Sequence, residues 1–322
     1  MTLQAFVTGI NGQDGSYLVE RLLADGYEVH GLVRPEDLAA DARTTPGLTT
    51  HHGDLLQSDH IAGLIREIQP DEIYNLAGIS SVARSWAEPV ATGLISGVAV
   101  AALIQAAWEV SEKTGRSVKF AQANSAEIFG NPARSPQDES TPVAPITPYG
   151  AAKAYAHHAV NVYRARGLFA VSLVLYNHES PRRPVSFVTR KITQTVTQIA
   201  RGEASELVLG NLDVRRDWGW APDYVDAMVR AVGHEVPQDY VIATGVAHSV
   251  REFVAAAFAA VGIDDWDQLV RLDAAFARPA DAVEQVGDAT RARTQLGWTP
   301  TVGFEEVVAR MVDADLRPVG GA

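Results

Sequence analysis

Residues 4–24 read QAFVTGINGQDGSYLVERLLA, and this stretch decides the fold. Its first part, Gln4–Thr8, predicts a β-strand, and Ser16–Asp25 predicts an amphipathic helix that Gly26 is placed to end. Between them lies a G-x-x-G-x-x-G run, which alone is often a structural turn. Here a strand precedes it and a helix follows, so the backbone can approach a pyrophosphate and the helix N-terminus can bind it. The sequence therefore favours dinucleotide binding, with contacts expected at Gly9, Asn11, Gly12, Gln13, Asp14 and Gly15.

Strands and helices alternate strictly through the first half of the chain, which predicts right-handed crossovers and a parallel, doubly wound sheet. The second half is less regular, but Tyr240–Thr244 predicts one more strand of the same sheet. We therefore expect an α/β Rossmann fold with a smaller, interleaved C-terminal substrate domain. Residues 1–176 with 220–248 would form the Rossmann domain, and residues 177–219 with 249–322 the substrate domain. The other predicted strands are Glu28–Val33, His51–Gly53, Glu72–Leu76, Ser117–Ala123 and Leu168–Leu175.

The composition narrows the class of protein. The 322 residues include no cysteine, which excludes a disulfide scaffold, a cysteine-ligated metal site and a cysteine nucleophile. A net charge of −12 argues against nucleic acid or an anionic membrane as a partner. Pro89–Trp108 is uncharged and long enough to span a bilayer, but its polar residues favour a helix buried in the core or at a subunit interface. We therefore expect a cytoplasmic protein. We also expect no metal site, since His51 and His52 lack partners at ligand spacing.

The residue after the second predicted strand indicates which nicotinamide cofactor binds. An acidic residue there suits the ribose 2′-hydroxyl of NAD, whereas a cation suits the 2′-phosphate of NADP. Arg34 occupies this position and favours NADP over NAD, although Glu36 and Asp37 follow closely. Asp54, after the third strand, either faces the adenine or caps the next helix. The remaining expected cofactor contacts are Leu55, Leu76 and Ala77.

A tyrosine and a lysine one helical turn apart indicate proton and hydride chemistry. Tyr149 and Lys153 share a predicted helix face, and Ser125 lies just past the fifth strand. The three side chains are therefore expected to converge at the carboxyl edge of the sheet, with Tyr149 and Lys153 also touching the cofactor. Lys153 and a cationic nicotinamide both favour a tyrosinate, so we expect the pKa of Tyr149 to fall toward neutrality. Such a phenolate can take the proton of a sugar hydroxyl while hydride leaves the same carbon.

This arrangement resembles the extended short-chain dehydrogenases/reductases over nearly the whole chain. In 4-epimerases of that group the segment after strand five resembles S-S-A-T-V-Y-G, whereas residues 124–130 here read NSAEIFG. Glu127 thus places a carboxylate two residues after Ser125. An epimerase needs only reversible hydride transfer, whereas a dehydratase also needs a base for the acidic proton beside the new ketone. The alternative is a Glu127 that faces solvent or pairs with an arginine.

Longer motifs resemble the GDP-mannose 4,6-dehydratase family. They are NHESPRR at 177–183, FVTRKI at 187–192, LGNLD at 209–213, RDWG at 216–219 and IATG at 242–245. The resemblance implies a catalytic set of Ser125, Glu127, Tyr149 and Lys153. It further implies that Asn177, Arg190, Lys191, Arg216 and Arg278 hold the nucleotide diphosphate and its base, with Ser85, Arg183, Val188 and Leu209 as additional substrate contacts. The arginines supply the positive charge that an anionic ligand needs in an acidic chain.

The resemblance implies an NADP-dependent lyase of deoxysugar biosynthesis that converts GDP-mannose to GDP-4-dehydro-6-deoxy-mannose. The alternatives are a nucleotide-sugar 4-epimerase or reductase of the same superfamily, and a catalytically silent cofactor-binding regulator. The family usually carries consecutive arginines after strand two, in a longer loop that reaches a neighbouring subunit. Here Pro35 follows Arg34 and the loop is short. We therefore expect self-association through the Pro89–Trp108 and Tyr149 helices as a dimer, with a tetramer as the alternative.

Overall fold

The computed structural model describes residues 2–34, 46–276, 280 and 282–317. Its largest element is a seven-stranded sheet in which all neighbouring strands are parallel. The strands are β1 (Gln4–Thr8), β2 (Glu28–Val33), β3 (Leu48–His52), β4 (Glu72–Asn75), β5 (Lys119–Ser125), β6 (Phe169–Leu175) and β10 (Asp239–Ile242). Their spatial order is β10-β6-β5-β4-β1-β2-β3. The predicted doubly wound parallel sheet is confirmed, and so is the late return of the chain to it through β10.

Helices cover both faces of this sheet because each turns one apolar stripe toward it. On one face lie α1 (Gln13–Ala24) and α8 (Ala221–Gly233), which bury Leu18, Leu22 and Met228. On the other face lie α2 (Ser58–Ile68), α5 (Ala99–Thr114) and α6 (Pro148–Ala165), which bury Ile61, Leu103 and Val160. Because both faces are covered, successive residues are buried along β1, β4 and β6, with no alternation between buried and exposed positions.

The uncharged segment is part of a helical stretch, Pro89–Thr114, that is long and apolar enough to cross a membrane. It follows α3 (Val82–Ala87) and consists of α4 (Pro89–Gly93), a π-helical turn at Leu94–Val98, and α5. Half of its most apolar window is buried inside the protein, and it packs against α2 and α6. Val90, Leu94 and Val98 remain exposed at four-residue spacing. The expected burial in the core is therefore confirmed for half of this window, and an interface on its exposed side stays a prediction.

The second half of the chain builds a smaller layer beside the carboxyl edge of the large sheet. Strand β9 (Arg215–Trp220) pairs with β7 (Asn177–Glu179), β11 (Ala247–Ser249) and β13 (Glu284–Gln285), and β8 (Leu207–Leu209) pairs with β12 (Val270–Leu272). The helices here are α7 (Val188–Ala200), α9 (Val250–Ala260) and α11 (Phe304–Leu316), whereas α10 (Thr290–Leu296) packs against β10 and α8 of the large sheet. Trp218 packs on Phe253 and Phe304 in a separate core of this layer.

Candidate active site

The glycine turn before α1 brings backbone against backbone. A Cβ atom on Gly15 would lie 2.1 Å from the carbonyl oxygen of Gly9, and one on Gly9 would lie 2.9 Å from the nitrogen of Ala77. Gly9 also has a φ of 76°, which favours glycine. Gly12 is the N-cap of α1, and no side chain caps that helix. Added side chains would fill this cradle, so the residues present fit the pyrophosphate of a dinucleotide.

Two predicted cofactor residues, Gln13 and Asp14, use their side chains to hold the neighbouring layer. Gln13 donates through Nε2 to the carbonyl of His178 and accepts through Oε1 from Ser180. Asp14 Oδ2 lies 2.9 Å from Nε2 of His178. Asn11 is exposed at the tip of the turn. The turn is therefore anchored to β7 and the loop after it.

A buried chain of polar side chains forms the floor beside the glycine turn. The hydroxyl of Thr8 accepts from the backbone nitrogens of Leu76 and Ala77, each at 3.1 Å, and donates to Asn75 at 2.7 Å. Asn75 in turn donates to Gln122 on β5. These bonds fix Leu76 and Ala77 at the end of β4, next to Gly9.

The predicted adenosine-side residues occupy different environments. Arg34 follows β2 directly and its side chain is exposed, while Glu36 and Asp37 lie outside the described residues. Asp54 accepts from the backbone nitrogen of Leu56 at 2.7 Å and so closes a local turn. The expected alternative, that Asp54 caps α2, is wrong, because Gln57 is the N-cap of α2 and makes no side-chain cap bond. Leu55 is buried in the core between the sheet and α2.

Ser125, Tyr149 and Lys153 meet at the carboxyl edge of the sheet. Ser125 is the last residue of β5, which ends two residues later than the sequence predicts, and it hydrogen-bonds the phenol of Tyr149. Lys153 places its Nζ 5.9 Å from the centroid of the Tyr149 ring. The same Nζ donates to the carbonyl of Ala123 at 2.7 Å, which fixes the ammonium below the phenol. The first turns of α6 thus present a phenol and an ammonium to the end of β5.

Burial shifts the pKa values of Tyr149 and Lys153 in opposite directions. Burial raises the pKa of Tyr149 to about 12, although the hydrogen bond from Ser125 and the charge of Arg183 act in the opposite direction. Burial also lowers the pKa of Lys153 to about 8. In the protein by itself, desolvation therefore outweighs the groups that favour the tyrosinate, and the expected fall of the Tyr149 pKa beside a cationic nicotinamide stays a prediction.

Glu127 lies in a short 3₁₀ turn, Ala126–Phe129, directly after β5, and only 9% of it is exposed. Its Oε2 accepts from the hydroxyl of Thr147 at 3.3 Å, and its Oε1 accepts from Nε2 of Gln285 at 3.4 Å. Its backbone nitrogen donates to Ser125 Oγ at 3.3 Å. A solvent-facing Glu127 is thus excluded, and its carboxylate lies close enough to Tyr149 for its charge to raise the pKa of the phenol.

The predicted substrate arginines of the described chain lie in the loop after β7, on α7 and on β9. Arg183 lies 3.2 Å from the buried carboxylate of Glu179 and stacks on Phe187, and its charge reaches Tyr149. Arg190 forms an ion pair with Asp315 on α11. Arg216 is buried and donates to the carbonyls of Arg215 and Ala282. Of these three, Arg183 has the electrostatic link to Tyr149.

Other predicted substrate residues vary in access. Asn177, Val188 and Lys191 are half-buried, and burial lowers the pKa of Lys191 against the charge of Asp273. Leu209 is buried. Ser85 is fully buried and donates to the carbonyl of Val82 within α3. Arg278 lies outside the described residues. The substrate contacts as a set stay predictions.

Comparison with known proteins decides the family. The sequence profile of the GDP-mannose 4,6 dehydratases matches residues 6–311. GDP-mannose 4,6 dehydratase 2 of Arabidopsis thaliana is 44% identical over 325 residues, covering 97% of this chain and 87% of that protein. The chain belongs to the GDP-mannose 4,6-dehydratase family. The family's member from Homo sapiens is 42% identical over 343 residues, covering 97% of this chain and 91% of its own.

The fold of this GDP-mannose 4,6-dehydratase family member is also similar to solved structures. One is a dTDP-glucose 4,6-dehydratase from Streptomyces venezuelae with NAD bound. It has a TM-score of 0.84 and 25% identity, and the match covers 97% of this chain and 96% of that one. These comparisons support a Rossmann fold and a nicotinamide cofactor for the chain.

Sequence reasoning about this family member missed three residues around the site. Thr147 is the N-cap of α6, and a threonine directly before Pro148 at a helix start is a recognisable capping signal. His178 lies inside the quoted NHESPRR motif, but the sequence assigned it no role. Gln285 contacts Glu127 across a sequence separation of 158 residues, so no local sequence pattern predicts the contact. Among the described residues no group of three or more histidine, aspartate or glutamate side chains could hold a metal ion.

Proposed function

We propose that the protein is an NADP-dependent lyase that converts GDP-mannose to GDP-4-dehydro-6-deoxy-mannose. One observation carries this proposal: in a member of this family, the buried carboxylate of Glu127 lies close enough to Tyr149 for its charge to act on the phenol, and the Glu127 backbone bonds Ser125. A 4-epimerase has no step that needs such a base. The nicotinamide, when bound, accepts the hydride of carbon 4 and returns it to carbon 6, so that no net redox change occurs.

The residues of the chain would divide the proton transfers between them. Tyr149 takes the proton of the carbon 4 hydroxyl, and Ser125 holds that hydroxyl against the phenol by hydrogen bonding. Glu127 takes the proton of carbon 5, which the new ketone has made acidic. One of these two protons leaves carbon 6 with hydroxide as water, and the other returns to carbon 5. The acid that assists water loss is not assigned to a residue.

Charge determines whether Tyr149 can act. Its pKa is raised to about 12 by burial, so ionisation of the phenol needs further positive charge nearby. Arg183 already favours the tyrosinate, and an oxidised nicotinamide adds a second cation. Binding of the oxidised cofactor would therefore prepare the tyrosine for its first proton transfer.

The preference for NADP rests on Arg34, which follows β2 where a ribose 2′-phosphate would lie. A related solved dehydratase is described with NAD, and NAD is the alternative. Substrate binding would use the smaller layer. Arg183, Arg190, Lys191, Arg216 and Arg278 with Asn177 would hold the diphosphate and base, and Ser85, Val188 and Leu209 would line the remainder.

We also propose a cytoplasmic homodimer, with a tetramer as the alternative. α4 and the π-helical turn pack against α6, and these three segments carry exposed apolar side chains. These are Val90, Leu94, Val98, Tyr155 and Val162. Helices that expose such a stripe fit a two-fold interface in which a second copy covers it. The domain division at 1–176 with 220–248 and 177–219 with 249–322 is part of the same proposal.

Mass spectrometry tests the reaction directly. Purified protein with NADP and GDP-mannose, and without a reductant, should give a product lighter by one water. A product of unchanged mass would indicate an epimerase, and a gain of two hydrogens on supply of reduced cofactor would indicate a reductase. No product at all would favour a silent regulator and overturn the proposal.

A further inference from the structure

We propose that Thr147 and Gln285 are positioning residues that aim the carboxylate of Glu127. Each carboxylate oxygen has its own donor: Thr147 Oγ1 lies 3.3 Å from Oε2, and Gln285 Nε2 lies 3.4 Å from Oε1. All three residues are buried. The inference rests on the proposed function, because both residues act only through Glu127.

The hydroxyl of Thr147 has its direction set by the start of α6. It accepts from the backbone nitrogen of Gly150 at 2.9 Å, so its single proton points toward the remaining acceptor, Glu127. Gly150 also touches the main chain of Glu127, since a Cβ there would lie 2.4 Å from the Glu127 carbonyl oxygen. Tyr149 lies between these two contacts in sequence. The first turn of α6 therefore fixes the base relative to the phenol.

Gln285 supplies the second donor from the opposite side of the site. It lies on β13, where it is the register partner of Arg216 on β9. Arg216 is a predicted ligand of the nucleotide, so the strand pair that carries it also carries one of the two bonds to Glu127. Hydrogen bonds at both oxygens restrain the rotation of a carboxylate, so its free lone pairs favour one direction. Glu127 is thus aimed jointly by the Rossmann sheet and the smaller layer.

Each donor can be removed separately, and its effects on hydride transfer and on water loss can be measured as separate steps. In single turnovers with GDP-mannose, Gln285→Leu and Thr147→Val should form reduced nicotinamide at about the parent rate. Water loss should then slow by about tenfold in each, so that reduced nicotinamide persists. The KM for GDP-mannose should stay near the parent value. Thr147→Ser keeps the hydroxyl and should restore the parent time course, and Gln285→Met serves if the leucine variant does not fold.

Two matched controls separate positioning from general damage. Gln137 is buried next to β13, but it bonds Tyr176 and Arg134, so Gln137→Leu removes a comparable amide without touching Glu127. Ser249 caps α9 as Thr147 caps α6, so Ser249→Ala removes a cap elsewhere. Both controls should lower the melting temperature and leave the ratio of hydride transfer to water loss unchanged.

The outcomes also distinguish this inference from the proposed function. If Glu127→Gln stalls after hydride transfer but Gln285→Leu and Thr147→Val do not, the positioning inference fails and the role of Glu127 stands. If Glu127→Gln itself loses water at the parent rate, the proposed role of Glu127 fails first. A Gln137→Leu variant that stalls like Gln285→Leu would also overturn the positioning inference.

Discussion

Nε2 of His178 lies 2.9 Å from Oδ2 of Asp14, and this contact joins the first turn of α1 to β7 at the edge of the active site. The other ring nitrogen, Nδ1, lies 2.7 Å from the carbonyl oxygen of Tyr176. Because both ring nitrogens face acceptors, both donate and the ring is an imidazolium. Burial opposes this charge, but the charge and hydrogen bond of Asp14 raise the pKa of His178 overall. Burial likewise opposes the Asp14 carboxylate, but His178 lowers the pKa of Asp14 overall.

This pair predicts that stability falls as the pH rises. The raised folded-state pKa of His178 gives a stabilisation that is complete below the ordinary histidine value of about 6.5 and is lost as pH passes the raised value. His178→Asn should therefore lower the free energy of unfolding more at about pH 6 than at about pH 9. Urea unfolding of parent and variant at the two pH values measures this. A difference that grows with pH would contradict the assignment.

A second prediction concerns two glycines, each inside a helix. A Cβ on Gly15 would meet the Gly9 carbonyl at 2.1 Å, whereas one on Gly63 in α2 would meet nothing within 4 Å. Gly15→Ala must displace the turn and should weaken cofactor binding and lower the melting temperature. Gly63→Ala, the matched control, should raise stability by about 0.4–1 kcal/mol because it removes unfolded-state freedom. Calorimetric titration with NADP and thermal unfolding test both. Equal behaviour of the two variants would show that the turn tolerates a side chain.

The sequence predicts the large sheet better than the smaller layer for a physical reason. Gln4–Thr8 and Glu28–Val33 have the predicted bounds because their apolar runs end at glycine or charged residues. The strand β9 reads RRDWGW, which has no apolar alternation, and it forms because β7, β11 and β13 pair with it. Motif spacing predicts that Ser125, Tyr149 and Lys153 meet at the carboxyl edge of the sheet, and the structure brings them together there. The contacts of Glu127 with Thr147 and Gln285 depend on tertiary packing, and the pKa of Tyr149 depends on burial.

The third prediction concerns the cofactor. Since Arg34 follows β2 where NAD-binding proteins carry an acid, the protein should bind NADP several-fold more tightly than NAD. Arg34→Glu should weaken NADP binding and leave NAD binding nearly unchanged. Arg84→Glu, at an exposed arginine that pairs with Glu88, is the charge-matched control and should affect neither. Fluorescence titration of the apoprotein gives each dissociation constant. A preference for NAD in the parent would mean that the carboxylates after Arg34 dominate.

The fourth prediction concerns assembly. Val98 and Val162 are 51% and 63% exposed, on the turn before α5 and on α6. If these helices form a two-fold interface, Val98→Glu and Val162→Glu each place two like charges at the centre of it and should give monomers. Val236→Glu, at a 52% exposed valine after α8, should leave the dimer intact. Light scattering at micromolar concentration reports the mass. A monomeric parent protein would refute the dimer.

The fifth prediction separates the roles of Glu127 and Tyr149. Glu127→Gln keeps the shape of the side chain but cannot accept the carbon 5 proton, so it should permit the first hydride transfer and block water loss. Removing a general base costs about 10²–10⁴ in rate. Tyr149→Phe removes the hydroxyl that takes the first proton and should stop the reaction before any hydride moves. With GDP-mannose in excess, absorbance should therefore show reduced nicotinamide accumulating in the glutamine variant and none in the phenylalanine variant. A glutamine variant that forms product at the parent rate would remove Glu127 from the mechanism, and with it the main reason to prefer a dehydratase over an epimerase.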